Sequence, residues 1–146
     1  MPVNASANRF PIDAELVLRA KGQAAVTAAS TPSNNFVLPR DDSYWGFGLI
    51  PDFETAVIIE VESIVTAGGE TYNFEVQVDT AANFPSATTI ASRAATGVGR
   101  LTLVIPREAI RAAEAAGATH LRVLQSGTGV GRSIAWNAYL APLVGG

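Results

Sequence analysis

The chain contains no cysteine, so it can have neither a disulfide framework nor a thiolate metal site, and thiol redox chemistry is excluded. Histidine occurs once, as His120, and a zinc site would therefore have to be assembled from carboxylates alone. Charge is also scarce: 16% of residues are charged and the net charge is -3. Such a chain carries no broad positive field to steer it toward a nucleic-acid backbone or an anionic bilayer, so neither partner is expected. Long apolar runs are missing as well, none approaching the ~18 residues of a membrane span. The opening MPVNASANRFPIDAELVL lacks the basic-then-apolar order of a secretory signal, and the product is expected to stay soluble where it is made.

What the chain does have is apolar residues, 48% of its 146, far from the composition that leaves a chain disordered. One domain with one core fits that length. Residues 1–12, with Pro2 and Pro11 among small polar residues, have no period and are expected to form an extended arm. Residues 13–146 are expected to form a single domain.

Period-two alternation sets the fold class. In TAVIIEVESIV, Val57, Ile59 and Val61 share one side and Ile58, Glu60 and Glu62 the other. In ETYNFEVQVDT, Tyr72, Phe74, Val76 and Val78 oppose Thr71, Asn73, Glu75 and Gln77. Each pattern is that of a strand packed on a core by one face and wetted on the other. Ala67-Gly68-Gly69 between them predicts a hairpin. Further strands are expected within Asp13 to Arg19, in AAVTAAS, around Phe36 to Leu38, from Thr88 to Ala94, and in RLTLVIP, THLRVLQ and SIAWNAYLA. PREAIRAAEAAG, opening on proline and stopping at glycine, predicts one short helix near 106–116. The sum is an all-β, antiparallel β-sandwich of Greek-key or jelly-roll type, with a closed barrel as the alternative.

TGVGR occurs twice, at 96–100 and 128–132. A phosphate-binding glycine loop follows a strand and opens a helix, whereas a predicted strand follows each copy here. The residues between the copies do not recur, which removes internal duplication. Two turns with positive-φ glycines remain, with Arg100 and Arg132 leading into the next strands as edge guards.

Catalytic constellations are hard to find. No serine lies in a nucleophile-elbow context, and His120, by alternation, shares a solvent face with Arg122. Asp41-Asp42 and Asp52-x-Glu54 bracket an aromatic loop but match no calcium-loop spacing, and they read as solvated charge. Glu60, Glu62 and Glu75 read as a wet sheet face, with a paired-carboxylate glycosidase as the minor alternative. Catalytic, cofactor-binding and metal residues are accordingly expected to be none. Tyr44, Trp45 and Phe47 stand beside glycines in an irregular stretch, either as a lid over one end of the core or as anchors presented to a partner. Carbohydrate stacking is a third use. Phe10 in the arm joins them as a candidate partner contact.

The run AVIIEVESIVTAGGETYNFEVQVDTAANFPSATTI, a strand ending VIP, then HLRVL and the closing SIAWNAYLAPL, resembles the small head decoration or auxiliary capsid proteins of tailed bacteriophages and phage-like particles. The likeness covers roughly residues 13 to 142. It rests on Glu70-Thr71-Tyr72, Asn83-Phe84 and Leu121-Arg122-Val123. It implies a β-sandwich on the outer surface of an icosahedral shell in the virion, bound to the major capsid protein as a homo-oligomer, with the trimer favoured, and without catalytic residues. PREAIRAAEAAG departs from that pattern, where a plainer loop is expected. A tail or fibre module and a carbohydrate-binding module are the alternative functions.

Overall fold

The computed structural model describes residues 17–38 and 54–143. The expected arm at 1–12, the first residues of the domain and the stretch 39–53 lie outside the described residues. Within them the chain forms β1 (Val17–Arg19), β2 (Ser30–Pro32), β3 (Phe36–Val37), β4 (Glu54–Ile64), β5 (Thr71–Asp79), β6 (Thr88–Ala95), β7 (Gly99–Ile105), α1 (Arg107–Ala115), β8 (His120–Thr128) and β9 (Ile134–Leu143). The strands make two antiparallel sheets, ordered β1-β9-β4-β7 and β2-β8-β5-β6, with β3 also on β8.

The pairings β1 with β9, β2 and β3 with β8, β4 with β7, and β5 with β6 are nested inside one another. The chain is thus one long antiparallel ribbon with its tip between β5 and β6. Rolling the ribbon brings β4 against β9 and β5 against β8. This winding is that of a jelly roll, and the expected all-β sandwich is present.

Alternation drives the burial. Val57, Ile59 and Val61 on β4, Tyr72, Phe74, Val76 and Val78 on β5, and Ile134, Trp136, Ala138 and Leu140 on β9 are all buried between the sheets. Fully burying one large aliphatic or aromatic side chain contributes about 1.5–3 kcal/mol. At the centre, Phe74 of one sheet meets Trp136 of the other edge-on, with ring centroids 5.1 Å apart, the geometry that aromatic quadrupoles favour. Arg19 lies over the same indole, its guanidinium carbon 4.9 Å from the ring centroid, and its Nε donates to the Trp136 carbonyl at 3.0 Å. Burial lowers the pKa of Arg19 and nearby Glu62 opposes the shift.

Three expectations are corrected. First, β4 and β5 do not form a hairpin: they belong to different sheets, and Ala67-Gly68-Gly69 carries the chain from one layer to the other. Both strands bury one face, so each needs an opposing layer as much as a neighbour. Tyr72 fixes the crossing, its hydroxyl donating to the Val65 carbonyl at 2.5 Å and accepting from the Ser133 amide at 2.8 Å. Second, AAVTAAS is not a strand. Val26 makes a single bridge with Ile134, and the second strand lies later, at Ser30–Pro32, where β8 supplies the partner. Third, Pro106 is the residue before the first helical turn and not part of it. Helix α1 docks through Ile110, which is buried.

Candidate functional site

The winding sorts the connections into two groups. At one end, Val65 donates its amide to the Ser133 carbonyl, Gly127 donates to Ala29, and Val26 pairs with Ile134. The β1–β2, β4–β5, β6–β7 and β8–β9 connections therefore gather there, and both TGVGR copies with them. At the other end lie α1, the β5–β6 loop, and Leu38 and Glu54, between which residues 39–53 connect. Tyr44, Trp45 and Phe47, like Phe10, lie outside the described residues, as do Asp41, Asp42 and Asp52. Their chain attachment is nonetheless at the helix end, where Leu38 donates to the Thr119 carbonyl and Thr55 pairs with Ile105.

The two copies of TGVGR differ in conformation. In the first, Gly99 has a positive φ of 139° and Gly97 does not; in the second, Gly129 has a positive φ of 102° and Gly131 does not. A Cβ on Gly97 or Gly99 would meet no atom within 4 Å. In the second copy the side chain of Glu70 is packed between the glycines. A Cβ would come within 2.8 Å of it from Gly129 and within 2.9 Å from Gly131. Glu70 in turn accepts from the Gly68 amide at 2.9 Å. Identical strings therefore meet two needs, a free turn and a close approach. Each presents its valine to solvent: Val98 is 69% exposed, Val130 fully so, and Val65 of the neighbouring connection 42%.

The other end is held by polar side chains. Asp79 is buried, and its carboxylate accepts from the amides of Thr80 at 2.5 Å and Ser86 at 2.7 Å. Desolvation alone would raise its pKa. The amides of Ser86, Thr80 and Ala81 and the Thr80 hydroxyl outweigh it and hold the carboxyl below its ordinary value. The same loop places Phe84 at a positive φ of 51° beneath Arg122, whose guanidinium carbon is 4.3 Å from the ring centroid. Arg122 Nε donates to Gln77 Oε1 at 2.9 Å. His120, on the outer face with Arg122 as alternation predicts, has its Nδ1 2.7 Å from Thr119 Oγ1.

On the outer face of the β4 sheet, Glu60 and Arg100 form an ion pair at 2.8 Å. The hydrogen bond from Arg100 holds the Glu60 carboxyl below its ordinary value, against partial desolvation, and Glu60 raises the pKa of Arg100 in return. Glu62 Oε2 accepts from Asn137 Nδ2 at 3.1 Å and from the Gly22 amide at 3.4 Å. Glu60 is thereby shifted toward its ionised form, the opposite of what a general acid needs. Among the described residues no group of three or more His, Cys, Asp or Glu is placed to hold a metal ion, and no helix is long and apolar enough to cross a membrane.

No family model matches this chain, and no curated protein or solved structure shows significant similarity to it. Sequence pattern alone marks neither the Asp79 loop nor the packing of Glu70 between two glycines. For that packing the glycines at 129 and 131 were the available signal, since a close neighbour is a standard reason for glycine.

Proposed function

We propose that this chain is a structural virion protein that decorates the outer surface of an icosahedral phage-type shell, bound to the major capsid protein as a homo-oligomer, a trimer by the family resemblance. The observation that carries the reading is the use made of the polar groups. Glu60 with Arg100, Glu62 with Asn137, Arg122 with Gln77 and Asp79 with its own loop are committed to holding strands and turns. Apolar side chains, by contrast, are presented to solvent on glycine-bearing turns, as suits contacts made by shape and apolar area. Many such contacts, each weak, become strong together on a repeating lattice.

Tyr44, Trp45, Phe47 and Phe10 are the proposed partner contacts, and a noncatalytic role in the virion follows from the same reading. Jelly rolls also occur in lectins, and fold alone does not choose between the two roles. The large exposed hydrophobics among the described residues are all valines, which supply apolar contact area for a protein partner. Co-sedimentation with empty phage shells, run beside retention on immobilised polysaccharide, tests the reading. Binding to shells alone supports it; retention by glycans with indifference to shells overturns it in favour of the carbohydrate-binding module.

A further inference from the structure

Among the described residues the two sheets have four edges, and three of them are blunted. β1 spans three residues with a register shift, β2 spans three residues ending in Pro32 and is followed by the two-residue β3, and β6 carries a bulge where Ile90 is extra between Thr89 and Ala91. Short strands, proline and bulges are the usual devices against edge-to-edge pairing. β7 has none of them. It runs from Gly99 to Ile105 in unbroken register with β4, contains no proline, and has one charged residue, Arg100.

Among the described residues a single side chain guards it. Arg93, reaching over from the β6 edge of the other sheet, donates from Nη1 to the Thr102 carbonyl at 3.2 Å. A donor arriving from the other sheet assigns that carbonyl to the side away from β4, and in an antiparallel strand the outward groups recur at every second residue. Arg100, Thr102 and Val104 therefore present their amides and carbonyls at the open edge.

We propose that β7 is a strand-addition site whose occupant is β7 of a second copy of this chain, paired antiparallel about a two-fold axis at Thr102. In that register Thr102 faces its own copy and Arg100 faces Val104 of the second chain. On the paired strands no like charges face each other: Arg100 is already paired with Glu60 on the sheet face, and its aliphatic stem can cover Val104, which is 42% exposed; the two Arg93 side chains converge near the axis and oppose association. The pairing is self-complementary, as a two-fold interface requires, and it joins two β4 sheets into one continuous sheet. Arg93 competes for the Thr102 carbonyl and so sets the strength of association. This contact is distinct from the three-fold association implied by the resemblance, and it does not depend on shell binding.

Analytical ultracentrifugation of the full chain as a function of concentration tests it. The wild type should show a monomer–dimer equilibrium, and Arg93→Ala should tighten it by about tenfold, the worth of one charge-assisted hydrogen bond that no longer competes. Thr102→Pro removes an outward amide without touching the β4 ladder and should leave a monomer. Val104→Lys, at an exposed position, should do likewise by setting a cation opposite the second chain's Arg100, and it keeps the test valid if the proline variant fails to fold. Monomers at every concentration for both wild type and Arg93→Ala, or a dimer indifferent to Val104→Lys and to a folded Thr102→Pro, would overturn the proposal.

Discussion

Glu70 lies so close to Gly129 that a Cβ at position 129 would come within 2.8 Å of its side chain and 3.1 Å of its Cα. The backbone at Gly129 is also in the positive-φ region, so an alanine there is strained twice. Gly129→Ala should cost about 1–3 kcal/mol. Gly97→Ala, at the matching position of the other TGVGR, has open space and no positive φ and should leave the melting temperature within error of wild type. Thermal unfolding of the two variants side by side checks this, and equal losses would show that the copies are not used differently.

The Tyr72 hydroxyl joins the two layers through Val65 and Ser133. Tyr72→Phe keeps the ring in the core and removes the link, leaving a carbonyl and an amide without that partner. The expected loss is about 1–3 kcal/mol, read by denaturant unfolding with an unchanged m-value. A neutral result would mean that water replaces the hydroxyl at no cost.

Asp79 supplies a pH dependence with a definite sign. Its folded-state pKa is depressed, so its contribution is fully present above the ordinary carboxylate value and is lost as pH falls through the lower, folded-state value. Asp79→Asn should be less stable than wild type at neutral pH, and the gap should narrow on acidification. Melting temperatures measured from neutral to acid pH check it; a gap that widens toward acid would contradict the assignment.

Trp45 tests the proposed contact surface directly. As an anchor, Trp45→Ala should abolish co-sedimentation with shells while leaving the melting temperature of the isolated chain unchanged. As a lid over the core, it should lower the melting temperature instead.

The legible part of the fold was its periodicity. Val57, Ile59 and Val61, and Tyr72 to Val78, announced buried faces because a strand turns every second side chain the same way. Which sheet each strand enters was not legible, since β4 and β5 have the same alternation whether they lie side by side or face to face. A Gly-Gly turn serves both arrangements, and the deciding hydrogen bonds of Tyr72 reach Ser133, 61 residues away. The pattern points to a second strand too early for a similar reason: Ser30–Pro32 has little strand character of its own and is ordered by β8. The aromatic candidates at 44–47 stand out by residue type in an irregular stretch, whereas Arg93 and Glu70 matter through neighbours distant in sequence. Charge and type were visible there; adjacency was not.

The pairing of Val17 with Tyr139 has a consequence for how the molecule is made. During synthesis the outermost strand of the first layer must wait until the segment carrying Tyr139 has left the ribosome, with the apolar sides of β4 and β5 already in existence and their covering strands still to come. Chains built on such distant partners pay loop closure before contacts reward it and fold slowly. Crowding of nascent copies, more than the endurance of the finished domain, is then the stage at which production at high levels is most exposed to aggregation.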